Sequence, residues 1–163
     1  MTDAALRDII WGWVDLILNI NNGLNIHIIY GEQSAPRPDS NYIVIHKPIP
    51  MRKQGHGYRS ESDDEGNTTI RNNYEATISI ETVGEETFYL RLLLDSTDMQ
   101  QVKDYWRINL ISFLRNEGIL SIPAITENVW ELRTTMDIFM LVPELTIENT
   151  SYIEEIDYTN NIR

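Results

Sequence analysis

Apolar residues recur along this chain with two periods, and the change from one to the other marks its elements. From about Asp3 to Asn22, Leu6, Ile9, Ile10, Trp13, Ile17 and Ile20 fall at helical spacing. Asp8, Gly12, Asp15, Asn19 and Asn22 form the opposite, polar stripe, and Gly23 is a natural stop. Trp11 sits off the core stripe and is a candidate subunit contact. Two short β-branched runs come next, Asn25 to Tyr30 and Asn41 to Lys47. Between them, Pro36 and Pro38 fix φ and extend the residues before them, which predicts a stiff loop. Pro48 and Pro50 end the second strand or mark an edge.

From Met51 to Thr69 apolar residues are sparse and the charge changes sign, with Arg52, Lys53 and Arg59 preceding Glu61, Asp63, Asp64 and Glu65. A connection this long is commonly functional or disordered. The reading is the tip of a long hairpin, mobile in the free subunit. Ile70 to Val83 then alternates strictly: Tyr74, Ala76, Ile78 and Ile80 on one face, Glu75, Thr77, Ser79 and Glu81 on the other. A helix is predicted from about Glu85 to Leu94. A second is predicted after Thr97, where Thr97 and Gln100 make a capping-box pattern. That helix would carry Val102, Tyr105, Trp106, Leu110, Phe113 and Leu114 on one face and stop at Gly118. Val129 to Val142 alternates again, with Trp130, Leu132, Met136, Ile138 and Met140 on one face and Glu131, Arg133 and Asp137 on the other. The order predicts an α+β fold, a mainly antiparallel sheet with a long hairpin and helices packed on one face. Residues 1–163 are expected to form one domain, with 143–163 as an acidic C-terminal arm that pairs as an edge strand or orders on a neighbour.

Charge and composition narrow the chemistry. Twenty-five acidic against 13 basic residues give a formal charge of −12, whereas phosphate neutralisation needs clustered Lys and Arg. Such acidity keeps DNA from adhering, as a channel through which DNA slides requires. The chain has no cysteine, which excludes disulfides, thiolate metal sites and thiol nucleophiles. No apolar run approaches a membrane span, and the N-terminal segment lacks the pattern of a secretory signal, so the expectation is a protein made in a cytoplasm.

Candidate catalytic groups are few. His27, His46 and His56 stand apart at no ligand spacing. Glu61, Asp63, Glu65 and Gly66 begin like a calcium loop, yet Asn72 occupies the twelfth position, where a bidentate glutamate is required. No phosphate-binding loop or nucleophile elbow occurs. Glu131, Arg133 and Asp137 share a strand face, a spacing open to carboxylate–arginine catalysis, but charges on the wet face of a strand more often pair within a sheet or across an interface. The expectation is therefore a non-enzymatic protein with no cofactor and no metal.

Two segments carry a resemblance. Gln33-Ser34-Ala35-Pro36-Arg37-Pro38 followed by Tyr42 resembles the loop of tailed-bacteriophage neck and tail terminator proteins, in which an Ala-Pro-Arg-Pro element precedes an aromatic-initiated strand. Trp130-Glu131-Leu132-Arg133 with Asp137 resembles the late strand of the same family. Asn41 and Thr134 depart from it, where the family tends to have proline and a small apolar residue. The resemblance implies a ring, commonly a hexamer, that caps the tail tube, stops its polymerisation and joins the head connector. In a contractile tail it also implies contact with the sheath. The implied partners are thus the chain itself, the tail tube protein, the head–tail connector and the sheath, with DNA passing through unbound and no membrane. The implied location is the virion neck, after assembly in the host cytoplasm.

Within that setting Arg37, Trp11, Glu131, Arg133 and Asp137 are candidate interface residues, and Glu61, Asp63, Asp64 and Glu65 a candidate lumen-facing tip. Arg37, held between two prolines, loses little entropy on binding and suits a neighbour's carboxylate. Two other readings stay open: another ring component, such as a head–tail adaptor or tail tube protein, and a small cytoplasmic binding domain.

Overall fold

The computed structural model describes residues 1–32, 36–39, 41–63, 66–84, 87–126 and 129–149. Gln33 to Ala35, Ser40, Asp64, Glu65, Glu85, Glu86, Glu127, Asn128 and the segment 150–163 lie outside them, so those parts of the predicted loop, hairpin tip, helix and arm are not described.

The spine is a pair of antiparallel strands of 17 residues each, β4 (Asn67–Val83) and β8 (Arg133–Asn149), in unbroken register from Asn67 opposite Asn149 to Val83 opposite Arg133. At about 3.4 Å per residue such a pair spans roughly 55 Å. The free edge of β4 is shared. β2 (Tyr42–Ile45) takes its C-terminal part and β3 (Ile49–Arg59) its N-terminal part, both antiparallel. β1 (His27–Tyr30) lies parallel to β2, and β5 (Ser112–Ser121) covers the near half of β8 on the other side, so the order is β1-β2-β4-β8-β5. A small hairpin of β6 (Ala124–Thr126) and β7 (Val129–Glu131) stands beside this sheet.

Three helices cover one sheet face. They are α1 (Asp3–Asp15), α2 (Phe88–Ser96) and α3 (Gln100–Ile108). Thr2 caps α1, its hydroxyl accepting from Ala5 N at 3.2 Å, and satisfies one orphan donor of the first turn. The buried stripe Leu6, Ile10, Trp13 and Ile17 packs on the even residues of β4 and β8, including Ile78, Ile80, Met136 and Ile138, and on Leu90 and Leu93 of α2. The Trp13 indole donates to Ser96 Oγ at 3.1 Å, and its ring meets Trp106 edge-on at 5.6 Å. A Cβ on Gly12 would come within 2.4 Å of the Tyr105 hydroxyl, which donates to Ile9 O at 2.9 Å. Gly12 thus serves close approach of α3 rather than a polar stripe. No helix among the described residues is long and apolar enough to cross a membrane.

Several expectations are corrected. The first helix does not keep one period: Leu16–Asn21 is π-helical. The widened turn rotates the residues after it, so that Leu18 is buried and Ile20, predicted in the core, is 68% exposed. The Thr97 hydroxyl donates to Leu94 O at 2.7 Å, closing α2, and Met99 is the N-cap of α3 without a side-chain cap bond, so no capping box forms.

The largest correction concerns the third helix. It ends at Ile108, Leu110 takes a left-handed φ of 57°, and Ser112 to Ser121 is strand rather than helix. Tertiary context overrides the helical spacing here, because β8 offers a complete ladder of backbone partners. Two register shifts, between Phe113 and Arg115 and between Glu117 and Ile119, remove the strict alternation by which a strand is read. Phe113 still packs against the core, stacked on Trp106 at 5.4 Å, while Leu110 and Leu114 are exposed.

Two more readings shift their bounds. Residues 51–59, read as hairpin tip, belong to β3, so the arms are longer and the connection shorter. β3 pairs only with β4, and an edge ribbon can be polar on both faces and still keep its ladder; Pro50 is tolerated on such an edge. The first part of the acidic arm, Pro143 to Asn149, continues β8 against β4. Trp130 is not on the buried face but 71% exposed on the β6–β7 hairpin, since the strand breaks at Leu132.

Burial separates side chains of the same type. Ile78→Ala, in the centre of the core, should lower unfolding free energy by roughly 2–5 kcal/mol. Ile147→Ala, at an exposed position of β8, should stay within about 0.5 kcal/mol of wild type. Urea midpoints of both variants provide the check, and equal midpoints would contradict this packing.

Candidate functional site

Strand parity decides what the sheet presents on the face away from the helices. Ile78, Ile80, Met136 and Ile138 point to the helices, so on this covered part of the sheet Glu75, Ser79, Glu81, Arg133 and Asp137 stand on the other face. The register sets Ile45 opposite Ile80 and Ile43 opposite Thr82, which turns Tyr42, Val44 and His46 to the same face. Tyr42, Val44 and Val83 form a small buried cluster there with Ile29 against it.

A chain of alternating charges borders that cluster. His46 Nε2 lies 3.1 Å from Glu81 Oε2, and His46 Nδ1 lies 3.5 Å from Glu32. Arg133 Nη1 is 3.1 Å from Glu81 Oε1, and its Nη2 and Nε reach Glu131 at 2.6 and 2.9 Å. Arg37 Nη1 in turn approaches Glu131 at 3.5 Å. Together with Pro36 and Tyr42, several of these groups line a hollow of about 220 Å3. Farther along the face the Ser79 hydroxyl donates to Asp137. Beyond it, Arg115 binds Glu75 at 2.8 Å and lies over the Phe139 ring at 3.8 Å.

Three of the five residues singled out from sequence as interface candidates therefore meet in one network: Arg37, Glu131 and Arg133. Asp137 shares their face but pairs separately with Ser79. Trp11 is elsewhere, on α1 beside the β1 edge, its indole donating to Ile28 O at 3.4 Å. At the hairpin tip, Glu61 and Asp63 are exposed. Asp63 accepts from Asn67 N at 2.8 Å while its own N–H donates to Asn67 O at 2.9 Å, and Asp64 and Glu65 lie outside the described residues.

Sequence reasoning missed His46, Glu81, Glu32 and Tyr42. The available signal was parity, since His46 and Glu81 occupy like-facing positions of strands that become neighbours, but nothing in one sequence says that β2 pairs with this part of β4.

Electrostatics follow from the geometry. The hydrogen bond to Glu81 holds the His46 pKa above its ordinary 6.5, against the opposing effect of burial, and Glu32 adds to the rise. The same bond, with the Arg133 charge behind it, lowers Glu81 below its ordinary 4.5. Tyr42 is raised, first by burial and then by Glu131. The network holds neighbouring charges in compensating pairs, from Glu32 through His46, Glu81 and Arg133 to Glu131 and Arg37. Among the described residues, no group of three or more His, Asp or Glu side chains could hold a metal ion. The face is a charged surface whose groups are paired with one another.

The His46–Glu81 pair makes stability depend on pH in two directions. A raised folded pKa at His46 contributes stability that is fully present below 6.5 and is lost as pH rises through the folded value. A lowered folded pKa at Glu81 contributes stability that is present above 4.5 and is lost as pH falls through the folded value. Thermal stability should therefore decline as pH rises above 6.5 and through the raised folded value of His46, and His46→Gln should flatten that decline. Melting curves across this range test it; an unchanged slope in the variant would remove the pair from the account.

Comparison with known proteins agrees with the contact reading. The family model described as phage neck terminator protein matches residues 4–162, nearly the whole chain. No curated protein matches the sequence. One solved chain at 8% identity aligns over 90% of this chain and 98% of its own length at a TM-score of 0.33, a likeness too slight to support an argument.

Proposed function

Because the chain belongs to the phage neck terminator family, we propose that it closes into a ring that caps the tail tube, stops its polymerisation and presents the head connector with its other face. At the coarser level it is a structural protein of the phage neck. The observation that carries the proposal is the match over residues 4–162. The architecture then suggests how such a protein would work, by blocking and bridging rather than by catalysis.

A ring needs two different, complementary surfaces on each subunit, because only a head-to-tail contact repeats around an axis. β1 and β5 lie at opposite ends of the strand order, and each is flanked by exposed apolar side chains. Trp11 stands beside β1, and Leu114, Leu120 and Ile122 lie on or just after β5. Joining these edges around a six-fold axis gives the hexamer that the family resemblance implies.

Arg37 supports a charged latch in the same contact. Its side chain is 54% exposed and its pairing with Glu131 is 3.5 Å long, an ion pair open to water on the Arg37 side and worth about 1 kcal/mol or less. It can therefore exchange its own chain's carboxylate for a neighbour's at little cost. Arg133 holds Glu131 and Glu81 in place and shapes the surface Arg37 leaves, with Asp137 on the same face.

The net charge of −12 suits a ring around a DNA path. The hairpin tip, with Glu61, Asp63, Asp64 and Glu65, would face that path. Carboxylates there repel DNA over a Debye length of roughly 8 Å at physiological salt, which discourages adhesion without blocking passage. The tube protein, the connector and, in a contractile tail, the sheath are the partners of such a ring.

A phage lacking this protein should yield heads and tails that fail to join and tails of irregular length in electron micrographs. Normal tail length with normal joining would overturn the proposal. At the level of the subunit, Arg37→Ala should reduce the ring fraction in sedimentation while leaving the melting temperature within about 2 °C, as expected for a surface change. Sedimentation identical to wild type would dismiss the Arg37 latch.

A further inference from the structure

Where α3 turns into β5, the chain has a cavity of about 690 Å3 lined by Arg71, Lys103, Trp106, Arg107, Leu110 and Phe113, among others. Its size is in the range of a site that accepts a compact ligand or a few side chains. The lining is unusual for so acidic a chain, with three basic residues and Asp98 as the acidic one. Lys103 is held by Asp98 at 3.4 Å and Arg107 by Asp104 at 3.1 Å, both exposed pairs. Arg71 has no carboxylate partner among the described residues; Glu144 lines an adjoining hollow with it but forms no ion pair. Trp106 and Phe113, stacked at 5.4 Å, supply the apolar wall.

We propose that this cavity is a docking site for the C-terminal segment 150–163 of a second copy of the chain. The inference rests on the ring reading above. The segment has the complementary chemistry: Glu154, Glu155 and Asp157 are interspersed with Tyr152, Ile153, Ile156 and Tyr158. Its carboxylates meet Arg71, Lys103 and Arg107, and its aliphatic and aromatic groups meet Trp106 and Phe113. The origin of the segment favours a second copy. β8 pairs Leu145 with Arg71 and runs on to Asn149, opposite Asn67. It therefore travels roughly 14 Å past Arg71, away from its own cavity, before the segment begins. Filling its own cavity would require the segment to reverse after Asn149 and run back along β8, whereas continuing outward, with an extended reach of about 50 Å, it meets a neighbouring subunit of the ring.

The test uses full-length protein, mixed from unlabelled and nitrogen-15-labelled copies and treated with a zero-length carbodiimide that joins amines to carboxylates. The expected product links Lys103 to Glu154, Glu155 or Asp157 in peptides of mixed isotope. The double variant Arg71→Glu, Arg107→Glu should lower its yield about tenfold or more, the loss of one or two charge-assisted contacts. A circular dichroism melt shows whether that variant still folds. Glu154→Arg, Glu155→Arg, a change confined to the segment itself, is the second arm and should lower the yield similarly. Links confined to single-isotope peptides would overturn the second copy as occupant. Rings that form without any such link would overturn the site while leaving the ring reading intact. Strictly monomeric protein without links would overturn both.

Discussion

The continuous pairing of β4 with β8 is the constraint on which the rest depends. Seventeen residues of each strand run opposite one another without a bulge, so the parity of every side chain along the spine is set once. That parity puts Ala76, Ile78, Ile80, Met136, Ile138 and Met140 under the helices and leaves the alternate positions to charges and hydroxyls. A slip of one residue would exchange the two faces, burying Glu81 and Arg133 and exposing the isoleucines. The hydrophobic effect therefore selects this register, and the charge network is its consequence.

The same length divides the spine into two regions with different tasks. Where β2, β5 and the helices cover it, the sheet is the wall of a packed core. Where only β3 joins it, from about Asn67 to Tyr74, it is a three-stranded ribbon with few buried side chains. The ribbon is stabilised by its ladder of backbone bonds and by cross-strand pairs such as Arg59 with Glu148 at 2.7 Å and Gln54 with Glu75 at 2.8 Å. Tyr58, Arg71 and Leu145 form one row across it, with Tyr58 and Leu145 exposed. An assembly protein has reason to retain such a feature, since surface left uncovered in the subunit is available for its neighbours.

Charge is distributed to match. On the covered part of the sheet, opposite charges alternate from Glu32 through His46, Glu81, Arg133 and Glu131 to Arg37. The two ends, Glu32 and Arg37, are more than half exposed, whereas Glu81, Arg133 and Glu131 between them are not. The inner links are shielded from water and hold their geometry, and the outer ones are weak enough to exchange.

Strict alternation and helical spacing were sufficient to read α1, β4, the core of β8 and the α+β class from the sequence, because those elements bury one face each and burial leaves a periodic trace. Glu131 and Arg133 were grouped as like-facing positions of one run, but the strand breaks at Leu132 and it is the Arg133 guanidinium that brings the two together. Elements that bury little or bury irregularly left no such trace. β3 is an edge strand with polar residues on both faces, and β5 carries two bulges that erase its period. The π-helical turn after Asp15 shifts Ile20 out of the core and Leu18 into it. Which strands become neighbours was decided only in three dimensions: β1 beside β2 in parallel, β2 and β3 sharing one edge of β4, and Arg71 brought to Trp106 and Lys103. Periodicity reports how a residue is oriented within its own element, whereas a site made by several elements depends on long-range pairing that one sequence does not encode locally.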